Sequence, residues 1–90
     1  MTIEFSPHAK KRIRIRGIAE ADVISALKNP DKILFDEDTG NFIAVKKIND
    51  KILVVVYFIV GNVVRVVSAF ITSKLDIVDK RIKKGRWRIV

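Results

Sequence analysis

An α+β fold is what this sequence predicts: two N-terminal helices packed on a four-stranded antiparallel meander sheet, with a C-terminal helix after it. Three observations lead there. Helix start and stop signals are confined to the first thirty residues and to a stretch near the end, β-branched runs fill the centre, and the breaks between those runs are only a few residues long. Breaks that short require antiparallel neighbours. Ninety residues support one domain, 1–90, with a thin core that is feasible without staples.

Ser6-Pro7 opens the first helix, with Ser6 as N-cap and Pro7 at the first helical position, where its missing N–H costs nothing. The helix is predicted to run to about Arg16 and stop at Gly17. Only Ala9, Ile13 and Ile15 are plainly apolar in it, so most of its surface faces water or a ligand. A second helix spans roughly Ala19 to Lys28, with Val23, Ile24 and Leu27 at core spacing. Its start is weakly specified, because Ala19 stands where Ser or Thr would cap better, and Asn29-Pro30 ends it.

Strands follow over Lys32–Asp36, Asn41–Ile48, Ile52–Val60 and Val63–Ile71, with turns at Glu37–Gly40, Asn49-Asp50 and Gly61-Asn62. The third strand is apolar at every position from Ile52 to Val60. A sheet with one wet face alternates, so this strand is predicted to be central and covered on both faces. The N-terminal helices supply one cover, and the C-terminal segment or a second copy of the chain supplies the other. Ser73 is the expected cap of a last helix from Lys74 to about Lys84, with Leu75, Val78 and Ile82 on its apolar side. Gly85 stops it, and Arg86 to Val90 form the end of a basic tail, 80–90.

Composition removes several functional classes. Cysteine is absent and histidine occurs once, so neither a disulfide framework nor a zinc site is expected, and no cofactor is implied. Ile52–Ile71 is long enough to test as a membrane span, but it carries Gly61, Asn62, Arg65 and Ser68. Arg65 alone would cost about 2.5–3.5 kcal/mol near a bilayer centre. The residues at 1–5 lack a signal-peptide core. A soluble, cytoplasmic protein without membrane partners is the expectation.

The net charge of +8 is concentrated at the two ends. Residues 1–16 carry +4 and residues 80–90 carry +6, around a middle of −2. If folding brings the ends together they form one positive face suited to a phosphate backbone. The opposing reading is that both ends are solvated surfaces that keep an apolar chain soluble.

His8, Arg12 and Arg16 recur at i, i+4 and i+8, one row along the first helix, with Lys11 and Ile15 beside it. Arginines so placed hold phosphate, and an imidazole moves a proton near neutral pH. Trp87 between Arg86 and Arg88 has two readings. It stacks on an unpaired base while its neighbours hold phosphates, or it packs with Ile89 and Val90 as an edge strand or dimer seam.

The pattern His8-Ala9-x-x-Arg12-x-x-x-Arg16-Gly17-Ile18, followed by Glu20, Asp22 and Asn29-Pro30, resembles the opening of a widespread prokaryotic family of unknown function. That family looks related to RelE/ParE-type toxins. The resemblance covers the helical half closely and the sheet in outline, through Leu53–Tyr57 and Val66–Phe70. Ile13 stands for the usual Met, and Ser68 and Phe70 stand for Thr and Tyr, keeping one hydroxyl and losing another. The basic tail lies outside the pattern.

The resemblance implies metal-free RNA cleavage, in which a 2′-OH attacks the adjacent phosphate with acid, base and cationic assistance. His8 is then the acid/base group and Arg12 and Arg16 the phosphate stabilisers. Lys11, Ser68, Thr72, Lys74, Arg86, Trp87 and Arg88 are the candidate RNA contacts. Tyr57 is a further hydroxyl but sits in an apolar strand, where a core role competes. An acidic, partly disordered antitoxin would cover the basic face. Two alternatives stand beside this reading: a nucleic-acid-binding module that breaks no bond, and a homodimeric interaction protein.

Overall fold

The computed structural model describes residues 2–90. In chain order the elements are β1 (Thr2–Phe5), α1 (Pro7–Ile15), α2 (Glu20–Lys28), β2 (Lys32–Asp36), β3 (Asn41–Ile48), β4 (Lys51–Val60), β5 (Val63–Thr72), α3 (Ile77–Lys83) and β6 (Trp87–Ile89). The class is α+β. The sheet, however, has six strands rather than four, in the order β1-β5-β4-β3-β2-β6. The expected antiparallel meander β2–β5 is its centre. β1 adds in parallel to β5, pairing Thr2 with Val63 through Phe5 with Val66, and β6 adds antiparallel to β2.

Side-chain alternation along β4 explains its unbroken apolar run. Leu53, Val55 and Tyr57 point to one face, into a core with Ala9, Ile13, Ile18, Val23 and Ala26 from α1, α2 and the turn between them. Ile52 and Val54 point to the other face, into a second core with Leu34, Ile43, Val45, Val78 and Trp87. The second cover is therefore the C-terminal segment. Burying each of these Val, Ile or Leu side chains contributes about 1.5–3 kcal/mol relative to exposure. A bulge between Val56 and Tyr57 shifts the β4–β5 register, with Val56 opposite Ser68 and Tyr57 opposite Val66.

Local chemistry sets the helix ends. The Ser6 hydroxyl accepts the Ala9 N–H at 3.0 Å, as an N-cap should. At the other end Ile18 N–H donates to Ile13 C=O at 2.8 Å and Gly17 N–H to Arg14 C=O at 3.1 Å. These two bonds make a Schellman motif that needs Gly17 at φ +68°. Its usual apolar contact is supplied by Ile13 and Ile18, both in the first core. α1 thus ends at Ile15, with Arg16 as C-cap. Ala19 makes no side-chain cap bond at the start of α2.

The C-terminal expectations need correction. Ser73 does not cap a helix beginning at Lys74. The Thr72 hydroxyl accepts the Lys74 N–H, Ile77 N–H donates to Lys74 C=O, and this turn delays α3 to Ile77, with Asp76 at its N-cap position. Leu75 consequently lies outside the helix and is exposed. Nor is 80–90 a tail: it is the body of α3, a turn and β6. Val90 N–H extends the β6 pairing by donating to Ile33 C=O.

Candidate nucleic-acid interface

α1 presents a strongly cationic surface. Pro7, where the chain turns in, and the first turn carry no acid, and Ala9 and Ile13 alone are buried. His8, Lys10, Lys11, Arg12, Arg14 and Arg16 are all exposed. Arginines in the last turn also complement the negative end of the helix dipole. Among the described residues no carboxylate forms an ion pair with any of them; the ion pairs present are Arg65–Glu4, Lys80–Asp76 and Arg88–Glu37.

The row His8, Arg12 and Arg16 is real, but its members do not converge on one point. A rise of about 1.5 Å per residue places successive members about 6 Å apart along the axis and the outer two about 12 Å apart. Arg16 is also engaged at its own end. Its Nη1 donates to the Ala69 C=O of β5 at 2.7 Å and lies 3.5 Å from the Ser68 Oγ. The structure thus brings Arg16 and Ser68 together at the β5 bulge. His8 is exposed and forms no hydrogen bond or ion pair among the described residues. One phosphate could touch His8 and Arg12, or Arg12 and Arg16. All three would track successive phosphates.

Other candidates lie elsewhere. Lys11 is exposed on α1, while Thr72 and Lys74 close a local turn through their own hydrogen bond. Trp87 does not serve as a base-stacking platform: it is 6% exposed, in the second core, with the Arg81 guanidinium 4.9 Å above its ring. The edge-strand alternative is the one observed, because its alternating partner Arg88 points outward. Arg88 reaches the Phe35 ring at 5.1 Å and donates to Glu37 at 2.6 Å, so its charge is already matched. Arg86 belongs to the α3–β6 turn.

The expected single positive face therefore does not form. α1 packs on the sheet face of the first core, next to β5, whereas α3 and Trp87 cover the opposite face. Because β4 is apolar on both sides, its sequence holds no signal that directs the two ends to one face. Tyr57 takes the core role: it is buried, stacks on Phe42 at 5.7 Å, and burial pushes its phenol pKa up.

A feature missed from sequence is an open cleft of about 560 Å³ on the other side of α1, lined by Lys10, Arg14 and Glu20. The i, i+4 spacing of Lys10 and Arg14 was its available signal. Among the described residues no group of three or more His, Cys, Asp or Glu is placed to hold a metal ion. No described helix is long and apolar enough to cross a membrane.

The family described as Domain of unknown function (DUF4258) matches residues 5–78, from the end of β1 into α3. No curated protein and no solved structure matches the chain.

Proposed function

The chain belongs to the DUF4258 family, and from that premise we propose that it is an RNA-binding domain whose α1 surface lies along a phosphate backbone. The observation that carries this reading is the set of five cations, Lys10, Lys11, Arg12, Arg14 and Arg16, exposed on one short helix with no carboxylate partner among the described residues. Charges left unpaired in the free protein are available to displace counterions from a polyanion, the main source of backbone affinity. Arg16, anchored to Ala69, holds the end of the row in place while keeping further N–H donors free.

A second reading adds cleavage, and the exposed His8 imidazole one turn from Arg12 favours it. In this reading His8 removes or returns a proton at the phosphate that Arg12 stabilises, with no metal. It carries with it a relationship to RelE/ParE-type toxins of prokaryotes, a cytoplasmic location and an acidic antitoxin seated on α1. The axial spread of the row supports binding over cleavage.

One experiment separates these readings. Affinity for a single-stranded RNA is measured against salt for the wild type, Arg12→Ala and the double substitution Arg12→Ala with Arg14→Ala, and the recovered RNA is sized after incubation with EDTA. The slope of log affinity against log salt should fall by about 0.7 for each phosphate the variant no longer engages. An unchanged slope in the double variant refutes the α1 interface. Intact RNA with the wild type refutes cleavage, and so does cleavage that persists undiminished in His8→Ala.

A further inference from the structure

On the face opposite α1, the end of α3 builds a second cationic site. Arg86 N–H donates to Arg81 C=O at 2.9 Å and Gly85 N–H to Ile82 C=O at 3.0 Å, with Gly85 at φ +75°. This is the same Schellman closure that ends α1. There the two residues it brings together are Ile13 and Ile18, the apolar pair the motif ordinarily joins. Here they are Arg81 and Arg86. Lys80 and Lys84 occupy the neighbouring turn, and all four cations line one cavity of about 260 Å³, with Ile77 as its only apolar wall.

Like charges gathered this way repel in the free protein, and helix-dipole compensation does not extend to Arg86, which lies beyond the helix. Lys80 has Asp76 as a partner at 3.2 Å; among the described residues no ion pair matches Arg81, Lys84 or Arg86. The Arg81 guanidinium carbon lies 4.9 Å from the Trp87 ring centroid, a contact that restrains the group, and among the described residues no hydrogen bond engages its N–H donors. A preorganised, planar donor among three mobile cations is suited to phosphate oxygens.

We propose that Lys80, Arg81, Lys84 and Arg86 form a second phosphate site, across the sheet from α1, that takes the backbone of a second RNA strand. The site stands on its own geometry; its occupant rests on the RNA-binding reading above. The protein is then a bridge between two strands.

The test uses the full chain with two short single-stranded RNAs, one carrying a donor dye and one an acceptor. Wild type should bind two strands and give energy transfer. Lys84→Ala combined with Arg86→Ala, both at exposed positions that leave the Arg81–Trp87 contact intact, should bind one strand and abolish the transfer. Two strands with undiminished transfer in that variant overturn the proposal, as does a wild type that binds one strand which the variant still binds. If Arg12→Ala with Arg14→Ala leaves binding whole while the α3 variant loses its strand, the α1 interface falls and the second site stands. Should wild type bind no RNA, inorganic tripolyphosphate decides: amide shifts confined to residues 80–86 retain the site, and their absence removes it.

Discussion

Trp87→Ala is the sharpest probe of how the C-terminal segment is used. The indole is 6% exposed and packs with Leu34, Ile43, Val54 and Val78 beneath α3, under the Arg81 guanidinium at 4.9 Å. Truncating a buried Trp costs about 3–5 kcal/mol, and the cation–π attraction removed with the ring lies within that range. A domain of this size is stable by roughly 5–15 kcal/mol, so the variant should remain folded with its margin much reduced. Urea unfolding followed by circular dichroism measures it. With a slope of about 1–2 kcal/mol/M, a loss of that size lowers the midpoint by about 1.5–5 M. Trp87→Phe keeps most of the packing and should lose less than half as much. Because the chain has one Trp, its fluorescence gives an independent reading: iodide should quench it weakly in the native state and strongly in urea. A cost under about 1 kcal/mol together with strong native quenching would refute the core assignment and return the ring to the surface.

Three other outcomes follow from the same structure. Ser6→Ala removes the acceptor for Ala9 N–H and should cost about 1 kcal/mol, seen as a lower unfolding midpoint; an unchanged midpoint would refute the cap's contribution. Gly17→Ala meets no atom within 4 Å of the new Cβ but places it at φ +68°, so about 1 kcal/mol of pure backbone strain is expected, and Gly17→Asn should recover part of it. Tyr57 has its phenol pKa raised above 10.0 by burial. The unfolded chain therefore loses this proton first, so stability is unaffected below pH 10 and declines as pH rises from there toward the folded value. The wild-type decline should exceed that of Tyr57→Phe, and identical alkaline profiles would contradict it.

Local chemistry makes much of the fold legible. Ser6-Pro7, Gly17 and Asn29-Pro30 bracket two helices that form within a residue or so of their expected bounds, and Gly61-Asn62 sits at the β4–β5 turn as its residue types require. β1 is hard to foresee because four residues are a weak signal, although Ile3 and Phe5 alternate with Thr2 and Glu4 as a strand should, the two apolar members packing against the first core. The start of α3 is ambiguous in sequence because Thr72, Ser73 and Asp76 are all competent caps, and the Thr72 turn wins. The α1 row is readable from periodicity alone. Its separation from the C-terminal cations is not, since a strand apolar on both sides accepts a terminal segment on either. Partnering of Arg88 with Glu37 depends on β6 joining β2, a pairing between residues 51 positions apart that no local pattern encodes.

Parallel pairing of β1 with β5 has a consequence for biosynthesis. Glu4 meets Arg65, 61 positions later. At roughly 5–20 residues per second, the ribosome needs about 3–12 s to make the strand on which α1 and β1 settle. Until then Ala9 and Ile13 have no floor, and the nascent N-terminal third travels with its greasy stripe uncovered. A chaperone that holds nascent chains should engage this segment early and release it once Val66 and Ala69 have left the exit tunnel.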